Sequence, residues 1–205
     1  MNAASITGIL LAAGASTRFG GFKLMHPVDG VPMVLKSAHA MKAALGGVLV
    51  AVRPGSPCLP TLLEQGFNVI ECARADEGMG GTLADAVAAA PADAGGFIIA
   101  LADMPFICVD TIAAIARVLV AGAAGATGAA GAALAAPSYR GERGHPVGLA
   151  ASYRAELLAL TGDAGARAII KRDAARITLV PVDDPGVLRD IDTPADLTLA
   201  ASRNP

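Results

Sequence analysis

The side chains best suited to chemistry open with two cations, Arg18 and Lys23, inside the run Leu11-Ala12-Ala13-Gly14-Ala15-Ser16-Thr17-Arg18-Phe19-Gly20-Gly21-Phe22-Lys23. Small residues let backbone N–H groups come close to phosphate oxygens. Ser16 and Thr17 add hydroxyl donors. Arg18 offers a planar fork and Lys23 a point charge, both suited to phosphate. The run is not GxxxxGK[ST] and not GxGxxG, so it matches neither the usual mononucleotide loop nor the dinucleotide fingerprint. On composition alone it reads as a phosphate cradle or as a flexible strand-to-helix loop.

A carboxylate comes next. Asp103 follows the apolar run Ile98–Leu101, and Pro105 disfavours a helical conformation at Met104. A hard oxygen donor there can hold Mg²⁺, which takes one or two carboxylates plus substrate phosphates. It can equally be a turn residue. Asp190 and Asp192, two apart in an extended segment, point to the same side. Either could complete a metal site, and Asp192 could instead cap a final helix. Thr82 keeps a hydroxyl after Gly80-Gly81, at an expected helix start where an anion is favoured. His145, flanked by Arg140, Arg143 and two glycines, lies among cations that suit an anionic acceptor. Asp163 is placed to cap a helix. Arg167 can meet a phosphate or a carboxylate.

These residues need a scaffold, and the pattern supplies an α/β one. Residues 6–11, 48–52, 68–71, 97–101, 146–149 and 177–182 read as strands. Residues 32–45, 60–65, 82–90, 109–120, 152–160, 165–172 and 194–200 read as helices. Repeated β-α-β units imply a mostly parallel sheet covered by helices, with ligands beyond the carboxyl ends of the strands. The run 11–23 and Asp103 both follow strands directly. Residues 121–136 are almost wholly Gly and Ala and read as a mobile surface connection. No repeat or domain boundary breaks the chain, so 1–205 reads as one domain.

Bulk properties exclude several classes. A formal charge of −2 leaves no footprint for nucleic acid or an anionic membrane. No run supplies the ~20 bulky apolar residues of a membrane helix. Cys58, Cys72 and Cys108 form no CxxC and read as packed, reduced thiols in a cytoplasmic protein.

The run LAAGASTRFGGFKL resembles the signature LAAGxSxRxGxxK of the nucleotidyltransferase family that contains molybdenum cofactor cytidylyltransferase and guanylyltransferase. The similarity continues through residues 27–33, Gly78-Met79-Gly80-Gly81-Thr82-Leu83, LADMP at 101–105, GHPV at 144–147, GDAGAR at 162–167 and DIDTPADL at 190–197. Phe19 stands where methionine is common. The resemblance implies a Rossmann-like three-layer sandwich of the nucleotide-diphospho-sugar transferase type. It implies that Leu11, Ala12, Ala13 and Gly14 wrap an incoming NTP, with Gly14, Ser16 and Arg18 on its phosphates and Lys23 near the reacting centre. Gly78, Met79 and Thr82 would lie near base and ribose. Arg143, His145, Pro146, Asp163 and Arg167 would serve the acceptor, and Asp103 with Asp192 a Mg²⁺ ion.

The Ala-Ala-Gly version is similar to the cytidylyl branch. The implied reaction moves CMP from CTP to the terminal phosphate of molybdenum-loaded molybdopterin, with a molybdoenzyme as the implied partner. A guanylyltransferase, a cytidylyltransferase for methylerythritol phosphate or a sugar phosphate, and a non-catalytic cofactor carrier or insertion protein are the other readings.

Overall fold

The computed structural model describes residues 5–14, 19, 22–123, 132–193 and 195–197. Its elements follow in chain order as β1 (Ile6–Leu11), β2 (Pro27–Val28), β3 (Val31–Pro32), α1 (Met33–Leu45), β4 (Val48–Val52), α2 (Cys58–Glu64), β5 (Asn68–Glu71) and α3 (Met79–Ala89). Then come β6 (Gly96–Leu101), α4 (Val109–Ala123), β7 (Leu134–Tyr139), β8 (Glu142–Arg143), β9 (Val147–Ala150), α5 (Arg154–Leu158), α6 (Arg167–Arg172) and β10 (Ile177–Pro181).

Among the described residues one sheet runs β10-β7-β9-β6-β1-β4-β5, with β8 paired to β7. β1 lies parallel to both β4 and β6, β5 parallel to β4, and β10 parallel to β7. Only β9, between β6 and β7, and the short β8 reverse the direction. The mostly parallel sheet is therefore as expected.

The alternation of β1 builds three layers. Leu10 points to one face with Val50 and Ile98, against Met33, Val34 and Met41 of α1 and Ile112, Ile115 and Leu119 of α4. Ile9 and Leu11 point to the other with Phe97 and Ile99, against α3, α5 and α6. A strand with neighbours on both edges and helices on both faces has no solvated side, so β1 reads as a continuous apolar run. Ile9 and Leu10 are fully buried, each contributing about 1.5–3 kcal/mol.

Several expectations need correction. The segment 121–136 is not a surface connection throughout. Residues 121–123 finish α4, and Leu134, Ala135 and Ala136 are fully buried in β7. Alanine is small enough to sit under α4 in a strand, so low complexity concealed a core element there. α3 starts at Met79 rather than Thr82, because Gly78, at φ 102°, is where the chain turns into the helix. The helix expected over 152–160 is α5, shorter at both ends. The final helix shows at 195–197, and the rest of 194–200 lies outside the described residues. Cys58 and Cys72 are packed as expected, but Cys108 is exposed. All three are free thiols, and burial, with the Asp85 charge, pushes Cys72 up to about 11. No described helix is long and apolar enough to cross a membrane.

Candidate functional site

The carboxyl ends of the central strands open onto two adjoining clefts. β1 and β6 each extend one residue past their ends, through Ala12 N–H to Ala51 C=O (2.8 Å) and Ala102 N–H to Leu11 C=O (3.0 Å). The buried Ser37 hydroxyl of α1 donates to Ala102 C=O at 2.9 Å. Asp103 therefore leaves the sheet from a peptide held on two sides.

Lys23 is the centre of the first cleft. It sits in a single tight turn, 23–25, and is only 7% exposed. Its Nζ donates to Asp103 Oδ2 at 2.8 Å and to Asp192 Oδ1 at 2.9 Å. Burial works against the Lys23 charge. The bonds and charges of Asp103, then of Asp192, outweigh that cost and hold its pKa above the ordinary value. Asp192 arrives because Ile191 N–H donates to Asp103 C=O at 2.9 Å. Asp196 reaches back, accepting from the N–H groups of Thr193 (2.7 Å) and Asp192 (3.0 Å), and those bonds hold its carboxyl below the usual range.

Around Lys23 the cleft has a volume of about 460 Å³, and Leu11, Ala13, Gly14, Gly78, Met79, Thr82, Asp103 and Asp163 line it. Three glycines are needed where α3 begins. A Cβ on Gly78 would lie 2.2 Å from Asp163 Oδ1, one on Gly80 2.4 Å from Thr161 C=O, and one on Gly81 2.3 Å from Arg74 C=O. The 161–163 loop docks on the start of α3 through these contacts and the bond from Gly80 N–H to Gly162 C=O at 2.7 Å. The glycines thus mark close backbone approach rather than lost side-chain contacts. Thr82 is not an open anion donor. Its N–H and its hydroxyl both donate to Gly78 C=O, at 3.2 and 3.1 Å.

The second cleft, about 590 Å³, shares Leu11, Met79 and Leu101 with the first. Its walls are apolar, from Leu83, Ile99, Val147, Ile170 and Ile177. Arg143, His145, Arg167 and Lys171 bring its charge and polarity. Among the described residues no carboxylate pairs with Arg143, Arg167 or Lys171. His145 Nδ1 is buried with no hydrogen-bond partner, and a buried polar atom left so is a place where a ligand atom is expected. Burial first, then the Arg143 and Arg167 charges, depress the His145 pKa below 6.5, against the pull of Asp103. The imidazole is therefore neutral at pH 7.

Most expected residues converge, with exceptions. Ser16 and Arg18 lie outside the described residues. Ala12 turns to the opposite face, into the α1 core, because side chains alternate past β1. Pro146 is buried beside His145 and lines neither cleft. Asp163 caps no helix, since α6 has Ala166 at its N-cap, and faces the first cleft rather than the second. Residues not singled out from the sequence also take part. Arg53, directly after β4, donates from Nε to Ala13 C=O at 3.1 Å and lines the first cleft with Asp76. Its place beyond a strand's carboxyl end was the available signal.

Chemically, two carboxylates within reach of one cation fit a divalent ion. Among the described residues no three His, Cys, Asp or Glu side chains cluster for a metal. The donor set therefore suits an ion that completes its shell with phosphate or water oxygens, as Mg²⁺ does.

The model of the MobA-like NTP transferase domain matches residues 8–177. Nicotine blue oxidoreductase of Paenarthrobacter nicotinovorans is 30% identical, covering 92% of each chain, and purine catabolism protein PucB of Bacillus subtilis strain 168 is 29% identical over 96% of each. The solved structure of Rv0371c from Mycobacterium tuberculosis H37Rv superposes with a TM-score of 0.79 at 23% identity, covering 98% of this chain and 100% of that one. Rv0371c has also been solved in complex with manganese, at a TM-score of 0.75, 22% identity and the same coverage.

Proposed function

The chain belongs to the MobA-like NTP transferase family and is a nucleotidyltransferase, and from that premise we propose that it transfers CMP from CTP to the terminal phosphate of a phosphorylated acceptor, releasing pyrophosphate. The acceptor assigned is molybdenum-loaded molybdopterin, and a molybdoenzyme is the assigned recipient of the product. The observation that carries this reading is Lys23 Nζ lying within 2.9 Å of both Asp103 and Asp192 in a cleft that Leu11, Ala13 and Gly14 also line.

An acceptor phosphate oxygen forms a bond to the α-phosphorus as the bond from that phosphorus to the β-phosphate oxygen breaks. A phosphate monoester, with a second pKa of about 6, is already largely ionised at pH 7, so no strong general base is assigned. Leu11, Ala13 and Gly14 bring backbone to the triphosphate, with Ser16 and Arg18 assigned to its oxygens. Lys23 stabilises charge on the departing pyrophosphate. Gly78, Met79 and Thr82 form the wall for base and ribose. Arg143, Arg167 and Lys171 draw the acceptor anion into the second cleft, and neutral His145 offers it Nδ1. Asp103 and Asp192 would hold Mg²⁺, which neutralises phosphate charge and aligns donor and acceptor. Manganese in Rv0371c supports a divalent ion in this fold. Three free thiols suit the cytoplasm, where we place the protein.

A second reading comes from the relative named an oxidoreductase. One experiment separates the two: pyrophosphate release from each NTP with Mg²⁺ and a panel of phosphorylated acceptors. CTP-dependent release with one acceptor supports the transferase. No release from any NTP, with turnover of a redox dye instead, overturns it.

A further inference from the structure

Residues 184–192 form a strap bonded to residues of both clefts. Val187 C=O accepts from His145 N–H at 2.9 Å, Ile191 N–H donates to Asp103 C=O at 2.9 Å, and Asp192 takes the Lys23 bond. Lys23, Asp103 and His145 come from distant parts of the sequence, and this one segment ties them together.

Its near end is fixed by Asp184, only 4% exposed. Asp184 Oδ2 accepts from Cys108 N–H at 2.9 Å and from the Thr111 hydroxyl at 2.7 Å. Oδ1 accepts from Gly186 N–H at 2.9 Å. Cys108 and Thr111 belong to the start of α4, where the helix dipole also favours an anion. Burying a carboxylate without such donors is costly, so this end of the strap has one seat. Gly186 closes it: a Cβ there would lie 2.2 Å from Phe106 C=O. Pro185–Leu188 make one 3-10 turn with the Asp184 side chain at its N-cap, and Arg189 leaves that turn in extended conformation, so the seat at Asp184 sets where the run to Asp192 begins.

We propose that Asp184 is a positioning residue for nucleotidyl transfer: by docking the strap on the start of α4, it sets the register at which Ile191 meets Asp103 and Asp192 meets Lys23. Its functional half rests on the assignment of Asp103 and Asp192 to a divalent ion. Its structural half does not.

The test uses Asp184→Ala, Asp184→Asn, Thr111→Val and Gly186→Ala in the full chain. Melting, amide hydrogen exchange at Ile191 and His145, Mn²⁺ binding by electron paramagnetic resonance with CTP present, and steady-state kinetics are measured on each. In Asp184→Ala, exchange at Ile191 and His145 accelerates. Mn²⁺ affinity falls by about 10–100-fold, as when a ligand's supporting partner is removed. kcat falls by roughly 10² even at saturating CTP and Mn²⁺, because Asp192 on the strap loses its alignment with Lys23 and Asp103. Asp184→Asn and Thr111→Val show the same pattern more weakly, and Gly186→Ala reaches it by a separate route.

A folded Asp184→Ala protein with wild-type exchange at Ile191, or with wild-type kcat and Mn²⁺ affinity, overturns the proposal. If that variant does not fold, Asp184→Asn and Thr111→Val decide it: loss of Ile191 protection and kcat together supports it, and melting loss alone overturns it. Failure of the wild type to bind Mn²⁺ with CTP would sink the metal assignment instead. The exchange data would still decide whether Asp184 sets the register.

Discussion

The two clefts lie side by side on the same sheet edge and treat charge in opposite ways. In the first, cations meet internal partners: Lys23 bridges Asp103 and Asp192, and Arg53 is tied to Ala13 C=O. In the second, Arg143, Arg167 and Lys171 stand over apolar walls beside an imidazole nitrogen with no partner. The carboxylates that line the first cleft, Asp76, Asp103 and Asp163, outnumber its described cations, Lys23 and Arg53, and such a site suits a ligand that brings its own cation, as a metal–triphosphate does. A site with surplus positive charge suits a bare anion. This contrast is what supports the proposal that the first cleft takes the donor and the second the acceptor.

The comparison breaks most sharply at Lys23. Lys23→Ala is expected to lower kcat by about 10²–10³ at saturating CTP and acceptor, the cost of losing a transition-state donor. Nearly unchanged turnover would remove Lys23 from the chemistry. The second cleft is expected to respond in binding instead. Arg143→Ala and Arg167→Ala should each raise the acceptor KM by about 10–150-fold, with kcat little changed, since a hydrogen bond to a charged group contributes about 1.5–3 kcal/mol. An equal rise in the KM for CTP would erase the distinction between the clefts.

Gly81→Ala sharpens it structurally. Its Cβ would press on Arg74 C=O, and overpacking of about 1–3 kcal/mol should lower the melting temperature by about 3–10 °C. An unchanged melting temperature would contradict the close docking at the start of α3. The smallest effect is a pH slope. His145 has a folded pKa below its unfolded 6.5, so acid favours the unfolded chain. Stability from this group is complete above pH 6.5 and is lost as pH falls through 6.5 toward the folded value. Melting curves between about pH 5 and 7.5 should flatten in His145→Gln. An unaltered slope would mean the imidazole is not held neutral.

Much of this was legible in the residues. β1, β4 and β6 are short apolar runs ended by Gly, Pro or charge, and a parallel core strand leaves that mark. Lys23 and Asp103 follow strands, where a doubly covered sheet places ligands. Other parts were hidden for physical reasons. β7 begins Leu134-Ala135-Ala136, and alanine carries almost no periodic signal. The β2–β3 hairpin turns at Asp29-Gly30, both at positive φ, a usable sign that went unread between two prolines. Asp184 owes its role to Cys108 and Thr111, 76 and 73 residues away, and no local pattern reports such contacts. The link from Asp192 to Lys23 joins residues 169 apart, and no local pattern reports it.

The central claim is that the first cleft exchanges its internal cation for a metal-bound triphosphate. A crystal grown with CTP and manganese tests this directly through its anomalous difference map. The account predicts a manganese peak in contact with Asp103 and Asp192, with Lys23 Nζ moved onto phosphate oxygens. A peak elsewhere, or CTP bound with Lys23 still bridging the two carboxylates, would contradict it.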